Sequence, residues 1–251
     1  MVKTLHEYKI THNLINEYFT EYARKLSKIA DVSVKFIKIE SKDDCYAAVD
    51  IKNNIILLPK IDFSKSIECK TYRKLKSFLS HECAHLMYQD NSYYLGPPIK
   101  YTNNEKQLVN LAKIFDDLRI ENLIYLEHRD LNLYEDFKFL INEIWKDNYD
   151  EKNISTLKEG SGKYGDFSND LFSSFYWVCQ KHYRGANLMA PKGFNMEHNG
   201  RLVDGCELFF NLKITPLLDS FITSREPALP IAIQVLDRIK TMWPLVFSGI
   251  V

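Results

Sequence analysis

Apolar residues at helical spacing open the chain. Leu14, Ile15, Tyr18, Phe19, Tyr22 and Leu26 recur every three or four positions, which predicts a helix over 11–30 with that stripe buried. The period then changes to two. Val32, Val34, Phe36 and Ile37 stand among polar neighbours, as in a half-buried strand over 32–39. A second strand is expected over 45–51 and a third over Ile55-Ile56-Leu57-Leu58, closed by Pro59, with Asn53-Asn54 as the turn between them. Helical spacing returns with Leu75, Phe78, Leu79, Leu86 and Met87, and no Gly or Pro interrupts residues 71–89. The turn formers and aromatics of 90–104 read as a loop. Helices follow at about 105–128 and 133–147, a polar glycine-bearing loop at 150–168, and helices at about 169–183, 204–222 and 226–242.

The expected class is therefore α+β: a small antiparallel or mixed sheet packed on the helix over 71–89, with a mostly helical C-terminal lobe. Residues 1–150 form the core of this reading. Residues 151–251 form a helical lobe that completes the same domain or remains from a longer protein. No internal repeat is evident.

The helix over 71–89 also carries the chemistry. His81 and His85 are four residues apart in His81-Glu82-Cys83-Ala84-His85, and four steps of about 100° return a side chain to nearly the same face. Two imidazoles so placed can grip one metal ion. Glu82, one step along, lies beside the open face of that ion, where a carboxylate can take a proton from water. A chance pair of surface histidines on a charged helix is the plain alternative. Cys83 falls on the wrong side to join the pair and reads as a small packing residue.

A catalytic zinc takes three protein ligands and leaves a position for water. The acidic helix Asp116-Asp117-Leu118-Arg119-Ile120-Glu121-Asn122 is the best source of the third. Asp117 and Glu121 share a face, so Asp117 can bind the metal while Glu121 accepts a hydrogen bond from a ligand histidine. Asp116 is rotated away and is the weaker candidate. The alternative is an exposed acidic turn paired with Arg119.

Together, "HECAH" and "DDLRIEN", whose Asp117 lies thirty-two positions after His85, resemble the metallopeptidase domain that often precedes a von Willebrand A-type domain in bacterial and phage proteins, and its cobalt-chelatase-subunit-like relatives. The resemblance covers roughly residues 30–130. It implies a zincin-like fold, Zn2+ as cofactor, Asp117 as third ligand and Glu82 as general base. The chain departs from the metzincin pattern, having no His-x-x-Gly-x-x-His after His85, and from the thermolysin pattern, having no Asn-Glu-x-x-x-Asp in the second helix. Asp166-Phe167-Ser168-Asn169-Asp170 approaches a von Willebrand A metal motif but lacks its last Ser and a preceding apolar strand; it reads as a loop and helix cap.

His182 and Tyr183 are a secondary pair, read either as oxyanion stabilisers or as a helix end with Gly185 as its cap and a cationic last turn. His6, His12, His128 and His198 lack ligand spacing and are expected at the surface.

Composition narrows the classes. Lys plus Arg and Asp plus Glu both number 33, which argues against a general nucleic-acid binder. No run approaches 18 apolar residues, and Met1 to Tyr8 lack the apolar region of a secretory signal, so no membrane association is expected. The five cysteines are widely spaced and contain no C-x-x-C. A reducing cytoplasm fits, the host's if the protein is phage-encoded. The expected function is a zinc-dependent endopeptidase acting on a polypeptide substrate. The alternatives are a non-catalytic zinc-binding assembly or adaptor protein, with a von Willebrand A-type or other assembly partner, and a phage structural or host-takeover factor with a degenerate site.

Overall fold

The computed structural model describes residues 12–37, 47–62, 67–89, 103–148, 178–186 and 210–242. Of the loop expected at 90–104, residues 90–102 lie outside them and Asn103 and Asn104 already belong to a helix; the loop expected at 150–168, the start of the helix expected at 169–183 and the Asp166–Asp170 motif also lie outside. The class is α+β: a three-stranded mixed sheet and mostly helical structure elsewhere. The chain divides into two compact units, Met1–Tyr88 with Ile124–Leu140, and Gln89–Leu123 with Ile141–Val251. That division cuts the chain elsewhere than at residue 150.

The first unit begins with α1 (His12–Ser27). Ile15, Phe19, Ala23 and Leu26 form its buried stripe. Leu14 and Tyr18, expected inside, are about half exposed. The tight Ala23 position recentres the stripe and leaves both on its flank, where Tyr18 lies 6.3 Å from the Tyr72 ring. Strands β1 (Ser33–Ile37), β2 (Ala48–Asp50) and β3 (Ile55–Pro59) are ordered β1-β3-β2, so β3 is central. It runs parallel to β1 and antiparallel to β2. Ile56 and Leu58 alternate inward.

The expected Asn53-Asn54 turn is a single 3-10 turn over Ile51–Asn53, followed by Asn54 at φ 52°. Asp50 caps it, accepting from the Asn53 backbone N–H at 3.2 Å and from Asn53 Nδ2 at 2.7 Å. Asn54 tolerates the left-handed conformation, and its amide donates to Asp31.

Helix α2 (Cys69–Tyr88) packs against β3, β2 and α1. Leu75, Phe78 and Leu79 are buried as expected, whereas Leu86 and Met87 are only half-buried. Three small side chains, Ser77, Ser80 and Ala84, lie inside with them. The two serine hydroxyls return to the carbonyls of Arg73 and Lys76, and Ser80 Oγ also meets the Tyr22 hydroxyl at 3.4 Å.

Helix α4 (Leu133–Asn148) is tied to α2 by charge. Asp136 is buried and accepts from Arg73 Nε at 3.1 Å and Lys76 Nζ at 2.9 Å, and Arg73 Nη2 donates to the Glu135 carbonyl at 3.0 Å. Asp136→Ala should lower stability by about 2–3 kcal/mol in urea unfolding. That is below the ~3–5 kcal/mol of a fully buried pair, because Arg73 reaches solvent. An unchanged midpoint would show that this network contributes nothing net.

The second unit contains most of α3 (Asn103–Glu127), a helix α5 (residues 178–184), α6 (Thr215–Phe221) and α7 (Ala228–Met242). Its core joins Leu111, Phe115 and Leu118 of α3 to Val178, Phe210, Leu218 and Val235. The helix expected over 204–222 is, within the described residues, a π-helical turn at Phe210–Ile214 leading into α6. Pro216 supplies the reason. It has no N–H for the carbonyl four residues back, and the ladder widens there. Thr215 Oγ1 donates to the Phe210 carbonyl at 3.1 Å in partial compensation.

Candidate metal centre

Helix α2 presents His81 and His85 one turn apart. Their rings meet edge to face, centroids 4.6 Å apart, and their Nε2 atoms are 3.0 Å from each other. With one ring protonated at Nε2, this contact is a hydrogen bond. With both protonated at Nδ1, two lone pairs converge, and a cation satisfies both. Tetrahedral zinc with Zn–N near 2.0–2.1 Å sets its two nitrogens about 3.3 Å apart. The rings are thus within a few tenths of an ångström of a chelating pose.

His81, His85 and Asp117 each offer one ligand atom, and these atoms lie within 4.8 Å of one another. All three side chains are half-buried. Two imidazoles and one carboxylate match the donor set of a hydrolytic zinc site, so the residues fit the ion. The end of α3 is fixed locally: Glu127 pairs with Lys28 at 2.9 Å, and a His128 ring nitrogen meets the Leu26 carbonyl at 2.9 Å. His128 was expected at the surface. It is half-buried instead, because that carbonyl at the end of α1 needs a partner.

Glu82 is 6% exposed. Burial pushes its carboxyl up to about 7, against the opposing pull of the His81 charge. A carboxylate poised near neutral pH is suited to taking and returning a proton. Cys83 is fully buried beside it, its Sγ 4.0 Å from the Ala23 carbonyl, and burial followed by the Glu82 charge raises its thiol far above the ordinary range. It is a packing residue, as its helical position implies.

The two acidic neighbours of Asp117 on α3 are each committed to an arginine. Asp116 is wholly buried and accepts from Arg119 Nε at 3.1 Å and from Arg119 Nη2. The acidic turn is therefore not exposed, although Arg119 is its partner. Glu121 Oε2 accepts from Arg184 Nε at 2.8 Å, and both residues are buried. Glu121, expected to orient a ligand histidine, thus belongs to an ion pair that sequence spacing did not indicate.

Around Ala112 to Glu121, α3 is buried on nearly every side, which explains why its charges come in pairs. Two further contacts seat it: Asn122 Nδ2 donates to the Ile222 carbonyl at 3.0 Å, and the Arg119 guanidinium lies over the Phe221 ring at 5.8 Å.

His182 and Tyr183 sit at the end of α5. Gly185, at φ 55°, ends that helix as expected of a glycine cap. His182 is exposed and stacks edge to face on Tyr183 and Phe210. The Tyr183 hydroxyl donates to Asp219 Oδ1 at 2.9 Å, and burial, then this bond, raise its pKa. That phenol is a poorer proton donor than an ordinary tyrosine.

No helix among the described residues is long and apolar enough to cross a membrane. No family model, no curated protein and no solved structure matches the chain.

Proposed function

We propose that the protein is a zinc-dependent endopeptidase with a zincin-like fold. The observation that carries the reading is the convergence of His81, His85 and Asp117 donor atoms within 4.8 Å, with a buried carboxyl at Glu82 on the same helix. A purely structural metal site has no use for that carboxyl. Zinc, when bound, supplies a Lewis acid that polarises a peptide carbonyl and acidifies water. The chain's own residues do the rest. His81 and His85 hold the ion through Nε2, and Asp117 adds a carboxylate that offsets half of its charge. Glu82 accepts a proton from the attacking water and returns it to the leaving amine. The substrate is a polypeptide. The free cysteines Cys69, Cys83 and Cys179 support a reducing cytoplasm as its setting.

The test pairs metal analysis with digestion of a broad peptide library. The purified chain should hold stoichiometric zinc and cleave peptides, with cleavage abolished by a chelator and restored by added zinc. His81→Ala or His85→Ala should each lose the metal, because two remaining ligands no longer make a site. A well-folded preparation, never exposed to chelator and free of zinc, would sink the reading.

A further inference from the structure

Arg184 is the last residue of α5, and sequence spacing gives it no more than a place in a cationic last turn. Gly185 takes the left-handed conformation directly after it, and the Ala186 N–H returns to the Gln180 carbonyl at 3.5 Å. The Arg184 side chain turns inward and is 3% exposed. Its Nε donates to Glu121 Oε2 at 2.8 Å, its Nη2 lies 2.6 Å from the same oxygen, and Nη2 also donates to the Leu118 carbonyl at 3.0 Å.

These partners follow Asp117 by one and by four residues. One planar fork therefore grips both the backbone and a side chain of the turn that carries the carboxylate. Magnitude decides whether this matters. A side-chain group at the surface of a helix is about 5–6 Å from its axis, so a 20° roll of α3 would move the Asp117 carboxylate by roughly 2 Å. That is a whole metal–oxygen bond length. Apolar packing tolerates small rolls of a helix, whereas a two-point hydrogen-bonded clamp of fixed direction does not.

We infer that Arg184 is a positioning residue for the metal-ligating carboxylate. It touches no ion; it fixes the roll of α3, and zinc affinity depends on it. The inference rests on the proposed zinc site and adds to it a residue 67 positions beyond Asp117 in the chain.

The experiment measures zinc affinity by chelator competition, and the visible spectrum of the cobalt-loaded protein at saturating metal. Arg184→Lys keeps the charge and the stem but cannot serve Glu121 and the Leu118 carbonyl with one planar group. It should bind zinc about 10–100-fold more weakly. Its ligand-field bands should differ from those of the parent even when every site is filled, an effect that lowered stability alone would not produce. Where Arg184→Lys does not fold, Glu121→Gln is compared with Arg184→Gln/Glu121→Gln, which leaves no buried charge in the pair. The double variant should then bind zinc about tenfold more weakly than the single. Folded variants that match their reference within about twofold, with unchanged cobalt spectra, overturn the role of Arg184 alone. A parent chain that takes up neither metal overturns the zinc site itself.

Discussion

Glu82→Gln should keep its zinc and its fold while losing peptide hydrolysis by about 10²–10⁴-fold, the usual contribution of a positioned general base. The separation of the two properties is what makes the result diagnostic. Glu82 follows His81 on α2 and is not among the grouped donor atoms, so the substitution removes no ligand. The amide has nearly the shape of the carboxylic acid it replaces. Burial is the leading influence on Glu82 and disfavours its charged form, so a neutral residue there carries no such penalty and the melting temperature should not fall. Zinc content by metal analysis, melting and initial rates on one cleaved peptide complete the measurement. Hydrolysis at the parental rate would remove Glu82 from the mechanism and leave the metal site standing. Loss of zinc together with activity would mean that the carboxyl supports the ligands rather than the reaction.

Local periodicity made α2 and its histidines legible in the sequence, because everything the pair requires lies within five residues. The i,i+4 geometry follows from helical rise and twist alone, and the structure keeps it, with Nε2 atoms 3.0 Å apart. Asp117 was legible for a weaker reason. A third donor had to come from elsewhere, and this helix placed an acid on the same face as Glu121.

The partner of Glu121 was not legible, whereas Arg119 already stood in the sequence as the partner of the acidic turn. Glu121 meets Arg184 across 63 positions of sequence, and nothing about Arg184 beyond its charge distinguishes it from a solvated last-turn residue. Burial of α3 on several sides was also hidden. The stripe Leu111, Ile114, Phe115 and Leu118 suggested one apolar face, yet Ala112, Ile120 and Ile124 are buried as well. A helix surrounded in this way forces Asp116 and Glu121 to find arginines, so the error over burial and the missed Glu121–Arg184 pair have one cause. The same limit applied to the sheet. Period-two spacing located the three strands, but that β1 lies parallel to β3 is a non-local pairing that spacing does not encode.

The buried pairs change how the third ligand must be tested. Asp117→Asn should reduce zinc affinity by more than the ~10–100-fold typical of a residue that only orients a ligand, because it removes a charged donor. Asp116 is the natural control, but Asp116→Ala would leave Arg119 buried without its carboxylate and would confuse unfolding with metal loss. Asp116→Asn keeps the shape and a hydrogen-bond acceptor. It should lower stability by about 3 kcal/mol, as expected when one partner of a buried pair is lost, while the folded fraction binds zinc about as tightly as the parent. Glu121→Gln should fall between them, losing affinity by about 10–100-fold together with some stability, since it weakens the grip of Arg184. Chelator competition, run well below each variant's melting temperature and beside urea unfolding, separates the two effects. The assignment predicts opposite signatures: Asp117→Asn loses metal and keeps its fold, and Asp116→Asn loses stability and keeps metal. If Asp116→Asn strips the zinc while Asp117→Asn retains it, the ligand is Asp116, and its contact with Arg119 must break when metal enters. If neither substitution changes zinc affinity, α3 contributes no ligand and the site must draw its third donor from another part of the chain.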